Sequence, residues 1–279
     1  MKNGAWVCLL TEQTFREPGK LQIVQSWRFA VFNLFLQRLR HATDLTCVEL
    51  EVFEELCRQA RDIGAKKYLA REGDEIASFP VVLSGWAARY QILRNGARQI
   101  TRLLLPGDAF YFDASPNGTA IEEVVTLSPC RVVTIPYSDM ERTINRFPLI
   151  GEAMLQYGRM ENAVQSSWIV NIGRRDALER MAHLLCETHY RLQIIDGVKD
   201  GQFHFPLTQD DLADVLGLTP VHINRKLQQL RQENLITLRS KQLTIEDLRG
   251  LQQIAGFDSA YLAPQTRPAP AYERRPVAA

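Results

Sequence analysis

The stretch LTQDDLADVLGLTPVHINRKLQQLRQENLITL, Leu207 to Leu238, constrains this chain more than any other. Thr208 stands where a helix N-cap is needed, Asp210 and Asp211 sit beside the positive end of the dipole, and Leu212, Val215 and Leu216 recur three and four residues apart. Gly217 stops that helix and a second begins at once. Thr219 caps it, Pro220 fills the first position, where no N–H is needed, and Ile223, Leu227 and Leu230 form its apolar stripe. Two helices so closely joined must turn a sharp corner. Beyond them, Leu235 to Leu238 and Gln242 to Ile245 alternate around Arg239, Ser240 and Lys241, which predicts a two-stranded hairpin with a basic tip.

Stepping about 100° per residue from the second stripe points Val221, Arg225, Gln228 and Gln232 away from the core, with His222, Asn224 and Gln229 on the flanks. Arginine makes paired bonds to guanine, asparagine and glutamine pair with adenine, and valine touches a thymine methyl. An amphipathic hairpin with a solvated face shows the same pattern, so the hairpin beyond it and the local charge carry the weight. From Arg225 to Lys241 the cations Arg225, Lys226, Arg231, Arg239 and Lys241 oppose Glu233 alone, a cluster suited to phosphates. The arrangement predicts a winged helix-turn-helix in which Thr208, Thr219, Val221, His222, Asn224, Arg225, Gln228, Arg239 and Lys241 meet double-stranded DNA.

With 279 residues, 46% of them hydrophobic, the chain has room for two cores. A formal net charge of +1 argues against a non-specific nucleic-acid coat, which relies on a broad cationic surface, whereas a site-specific binder confines its charge. No apolar run approaches the roughly 20 residues that span a bilayer. The amino terminus has no charged-then-apolar-then-small pattern, so a cytoplasmic protein with no membrane partner is expected. Cys8, Cys47, Cys57, Cys130 and Cys186 are scattered and odd in number, which predicts reduced thiols.

Residues 1–27 show no sustained periodicity and read as a loosely attached extension. Helical patterns at Arg28 to Ala42 and Thr46 to Ala60 precede a run of short, β-branched segments between Ile63 and Pro136, with a strong hairpin turn at Arg94-Asn95-Gly96. So many short strands predict an antiparallel jelly-roll β-barrel sensor domain over 28–147. Residues 148–172 carry the longest helical pattern. Its stripe Ile150, Met154, Tyr157, Glu161, Val164 and Trp168 has a coiled-coil rhythm and is assigned to a dimer interface, and a neighbouring stripe, Leu149, Ala153, Met160, Ala163 and Val170, has the same spacing. Asn171-Ile172-Gly173-Arg174 interrupts the pattern as a hinge; the reader occupies 173–262, and 263–279 form a Pro- and Ala-rich tail expected to be disordered. The fold class is α+β: barrel, long dimerisation helix, C-terminal winged helix-turn-helix.

This order resembles the Crp/Fnr family of bacterial transcription regulators over roughly residues 28–262, most densely in GRRDALERMAHLLCE and FPLTQDDLADVLGLTPVHINRKLQQL. The resemblance implies a homodimer on a palindromic promoter site, contact with RNA polymerase, and an effector or redox signal passed from the barrel through the long helix. It places three base-reading positions at Val221, Asn224 and Arg225. Arg225 keeps the family's arginine, but Val221 stands where glutamate is common and Asn224 where serine or glycine is often found. Glutamate accepts from cytosine and valine cannot, so the half-site should differ from the best-known one. In cyclic-AMP-responsive relatives a Gly-Glu pair holds the ribose and an Arg-Ser pair the phosphate. Gly107-Asp108 resembles the first pair, though a plain turn is the preferred reading; Thr119-Ala120-Ile121 stands near the second with no arginine, and burying a phosphate without a cation is costly. Gly107, Asp108 and Thr119 are the candidate effector pocket. Oxygen-sensing relatives use a tight amino-terminal cysteine cluster, which Cys8 alone and the widely spaced Cys47 and Cys57 do not match.

His183, Cys186 and His189 fan out by about 120° on a helix, with both histidines expected to be partly exposed, so no metal site or cofactor is predicted. An enzyme on the same barrel would need ligands in the sheet, and Ile63 to Pro136 contains no histidine. The alternatives to a DNA-binding regulator are a cyclic-nucleotide-responsive regulator of the same fold and a winged-helix protein-interaction module.

Overall fold

The computed structural model describes residues 34–41, 43–112 and 118–263; the extension at 1–27 and the tail from 264 lie outside the described residues. Helix α1 (34–41) is followed by α2 (Cys47–Leu56), which starts on a capping box between Thr46 and Glu49. Among the described residues nine short strands come next: β1 (Arg61–Ile63), β2 (Tyr68–Ala70), β3 (Glu75–Ile76), β4 (Ser78–Ser84), β5 (Ala87–Ile92), β6 (Arg98–Leu104), β7 (Gly118–Thr119), β8 (Glu123–Thr126) and β9 (Cys130–Pro136). They form sheets of order β1-β9-β4 and β2-β8-β5-β6, with a β3-β7 pair beside them, all antiparallel. Val81 lies opposite Val133 in the β4-β9 pairing, and both are buried. The β5-β6 hairpin turns at Asn95-Gly96, where Gly96 takes a φ of 82° that other residues resist.

Helix α3 (Tyr137–Arg146) leads through Phe147 into α4 (Pro148–Arg174). The sequence predicts an end near Ile172, but α4 runs on to Arg174. The break falls at Arg175-Asp176 because the Asp176 carboxylate accepts from the N–H groups of Leu178 and Glu179 and so starts α5 (Ala177–Gln193). Ile150, Met154 and Tyr157 pack with Phe35, Phe53 and Ile135 in one apolar cluster, and Val164 is also buried. This corrects the assignment of Ile150, Met154, Tyr157, Glu161, Val164 and Trp168 to a second copy: the stripe meets this chain's own body. The Ala109 N–H donates to the Tyr157 hydroxyl at 3.0 Å, Glu161 pairs with Arg102, and the Trp168 indole donates to Glu187 at 3.0 Å. Sequence spacing shows which residues share a helix face, but not which body covers it. The uncovered face carries Leu155 (56% exposed), Asn162 and Ile169 (75% exposed) at seven-residue intervals.

The reader contains β10 (Gln202–His204), α6 (Gln209–Leu216), α7 (Pro220–Gln232), β11 (Ile236–Arg239), β12 (Gln242–Ile245), α8 (Leu248–Ala255) and a 3-10 turn at Ser259–Leu262. The wing is three-stranded, ordered β10-β12-β11; β10 is too short to stand out by alternation. The reader's core continues into the outer face of the β5-β6 sheet, where Trp86 meets Phe205 edge to face with ring centroids 5.7 Å apart. No helix among the described residues is long and apolar enough to cross a membrane.

Candidate nucleic-acid interface

The corner between α6 and α7 is built from its caps. The Asp211 N–H donates to the Thr208 hydroxyl at 3.1 Å while the Asp211 carboxylate accepts from the Thr208 N–H at 3.0 Å; Gly217, with φ 62°, closes α6. The His222 N–H then donates to the Thr219 hydroxyl at 3.3 Å, starting α7. Both threonine hydroxyls are therefore engaged in capping. What Thr208 and Thr219 offer a phosphate is an exposed helix N-terminus.

Ile223, Leu227 and Leu230 are buried, which turns Val221, His222, Asn224, Arg225 and Gln228 to solvent. The flank of α7 satisfies itself: the Lys226 ammonium donates to Gln229 at 3.3 Å, and the Gln229 amide donates to Glu233 at 3.0 Å. The side chains of Asn224, Arg225 and Gln228 make no such bond among the described residues. At the wing tip Arg239 lies opposite Gln242, and the two residues between them, Ser240 (φ 48°) and Lys241 (φ 62°), form a tight turn in the left-handed region. Arg239 and Lys241 are exposed there, on the same small domain as α7.

Sequence reasoning missed what seats this reader. Arg98, near the tip of the β5-β6 hairpin, pairs with Asp211 at 2.9 Å and Asp214 at 2.6 Å on α6, and the Gln99 amide donates to the Asp214 carbonyl at 2.7 Å. Deeper in, Asp108 is fully buried between Arg38 of α1, at 3.2 Å, and Arg191 of α5. Arg102 of β6 pairs with Glu161 of α4 at 2.5 Å and lies 3.9 Å from Glu187 of α5, which also faces Arg191 at 3.5 Å. Three buried guanidinium groups thus face three buried carboxylates drawn from the barrel, α4 and α5. Burial by itself would raise the Asp108 carboxyl, but Arg191 and Arg38 outweigh it and hold the group below its ordinary 3.8.

A cavity of about 300 Å³ opens between the barrel and α4. Thr119 lines it; Gly107 and Asp108 do not, which corrects their place in the effector pocket. A Cβ on Gly107, whose φ is 84°, would fall 2.7 Å from the Leu34 carbonyl, so that glycine admits α1, and the Asp108 carboxylate belongs to the buried charge group. Among the described residues two arginines do line the cavity, from β5 and β6 rather than from the neighbourhood of Thr119-Ala120-Ile121. Each has a carboxylate already: Arg89 with Glu122 at 2.6 Å and Arg102 with Glu161.

His183 and His189 are buried, not partly exposed as expected: the first is ringed by Trp168, Phe257 and Tyr261, the second faces Phe203. Burial, partly offset by Glu187, brings His183 down to about 4. Burial likewise pushes the thiols of Cys57 and Cys186 up to about 12 and that of Cys130 to about 11, far from the thiolate state that oxidants attack.

Residues 60–147 match the family model of the cyclic nucleotide-binding domain and residues 179–254 that of the Crp-like helix-turn-helix domain. The fumarate and nitrate reduction regulatory protein of Yersinia pestis is 26% identical over 208 residues, covering 75% of this chain and 83% of that protein. The anaerobic regulatory protein of Haemophilus influenzae is also 26% identical, covering 75% and 80%. Among solved structures, FixK2 from Bradyrhizobium japonicum shares the fold with a TM-score of 0.65 at 21% identity, over 72% of this chain and 98% of that one. With the barrel, the long helix and the capped winged corner in the family's order, this chain belongs to the Crp/Fnr family of DNA-binding transcription regulators.

Proposed function

We propose that the chain acts as a homodimer that reads a palindromic promoter site in the cytoplasm, with the first turns of α7 in the major groove, the basic wing tip on phosphates, and RNA polymerase as a further partner. The observation that carries this reading is the contrast on α7. Its flank is self-paired, while Asn224, Arg225 and Gln228 stand exposed with their hydrogen-bonding groups unspent. Thr208, Thr219 and His222 border that face, and Arg239 and Lys241 supply charge beyond it. A half-site reader of this kind needs a two-fold partner. The exposed face of α4 suits a parallel two-stranded seam: Leu155 and Ile169 give apolar contact, and Asn162 between them sets the register, as a single polar core residue does in coiled coils.

Signals would enter at the cavity. Because Arg89 and Arg102 are each neutralised by a carboxylate, a cyclic phosphate would have to break an ion pair to be held, which favours a different effector. Selection of duplexes from a random pool by the purified chain tests the whole reading. A two-fold symmetric operator, bound with a steep salt dependence, is expected. Ile169→Glu should convert the dimer to a monomer in analytical ultracentrifugation and weaken operator binding; an unchanged sedimentation profile would move the seam elsewhere.

A further inference from the structure

Val221 is 68% exposed, and among the described residues no other large hydrophobic side chain of the reader is left so open. It occupies the second position of α7, three residues before Asn224 and four before Arg225, so the three side chains share one face. At 1.5 Å of rise per residue they span about 6 Å, or roughly two base-pair steps of B-DNA. A β-branched residue is an indifferent choice for an exposed helix turn and adds nothing to the core. It also leaves Arg225 without a carboxylate one helical turn before it, so no intrahelical ion pair competes for the guanidinium.

In a major groove an isopropyl group can neither accept from cytosine N4 or adenine N6 nor donate to guanine. Facing any of those edges it would strip water from a polar group and return no bond. One base edge is complementary to it, the 5-methyl group of thymine.

Building on the DNA-reading function proposed above, we infer that Val221 selects a thymine through its methyl group, within two or three base pairs of the guanine held by Arg225. The exchange of an acceptor for an apolar group is then a change of code, from a cytosine-bearing pair to a thymine-bearing one.

The test uses the full chain and an operator obtained by selection from random duplexes. Each thymine within three base pairs of the selected guanine is replaced singly by deoxyuridine, which removes the methyl and leaves every hydrogen-bonding group in place. One such replacement should weaken binding about 4-fold per half-site, the equivalent of one buried methyl group. Val221→Ala, whose shorter side chain reaches the methyl less well, should show a smaller deoxyuridine penalty than wild type. Val221→Glu, put through the same selection, should exchange that thymine for cytosine. The inference is overturned if wild type binds every deoxyuridine operator as tightly as the parent, or if Val221→Ala penalises the missing methyl as strongly as wild type does. If no operator emerges from the selection at all, the DNA-reading function itself fails, an outcome distinct from operator binding that ignores the methyl. Because the side chain lies on the surface, both variants should keep the wild-type circular dichroism spectrum and melting temperature.

Discussion

At the junction of barrel and reader, Arg38, Arg102 and Arg191 are buried against Asp108, Glu161 and Glu187, whereas on α7 Arg225 stands in solvent with no partner among the described residues. The same side chain does opposite work in the two places. A buried guanidinium has lost its water and must be met by carboxylates from the same chain, so its contacts hold one arrangement of domains together. An exposed guanidinium keeps its water until a ligand displaces it, and its fork then reports on the ligand's geometry. The first group therefore serves architecture and, under the proposed function, the second serves recognition.

The strongest attack is on Asp108. Removing it as Asp108→Ala leaves Arg38 buried with no carboxylate partner and Arg191 with Glu187 alone, and a loss of roughly 3–5 kcal/mol in chemical denaturation is expected. A loss below about 1 kcal/mol would mean that water reaches the junction. Because the folded carboxyl titrates below its ordinary 3.8, the unfolded chain binds the proton more readily; the stability it contributes is present above that value and drains away as pH falls further.

His183, beside the same junction, should dominate at milder acidity. Its value is about 4 in the folded chain against 6.5 in water, so the unfolded state takes up a proton first and stability falls by about 3 kcal/mol between those two values. His183→Phe should flatten that part of the pH profile in thermal melts. A profile unchanged by the substitution would place the ring in contact with water.

On the recognition side, Arg225→Ala should cost about 1–3 kcal/mol of operator binding per half-site, roughly 5- to 150-fold in gel-shift titrations, with the melting temperature unchanged. Equal binding by variant and wild type would remove the reading face from α7. The smallest effect is expected where the two regimes meet, at Arg98, whose pairs with Asp211 and Asp214 are partly solvated. Arg98→Ala should lower stability by no more than about 1 kcal/mol. Amide hydrogen exchange should nevertheless quicken in α6 and not in β4, since the hairpin contact seats one helix and the barrel core does not depend on it. Uniform protection in the variant would show that the apolar contact of Trp86 with Phe205 is enough to dock the reader.

Much of the reader was legible because its signals are local. Thr208, Gly217, Thr219 and Pro220 act on backbone groups within one turn of themselves, so their residue types announce the corner, and the alternation around Ser240 announces the wing. The barrel is legible from strand length and turn chemistry such as Asn95-Gly96. The candidate effector pocket reads less well. Gly107-Asp108 matches a nucleotide-binding pair by type and order, but the glycine admits α1 and the aspartate is held by arginines 70 and 83 residues away in the chain. No window along a sequence contains such partners.

The long helix marks the boundary most clearly. Its amino-acid sequence determined that α4 is one continuous helix with apolar rows, because the period of a helix is a property of the backbone alone. Only the tertiary structure decided that Ile150, Met154 and Tyr157 face the barrel and that Leu155, Asn162 and Ile169 face outward. That choice depends on the shape and charge of the surface against which α4 is laid, with Tyr157 reaching Ala109 and Glu161 reaching Arg102, and such complementarity does not exist until both surfaces have folded.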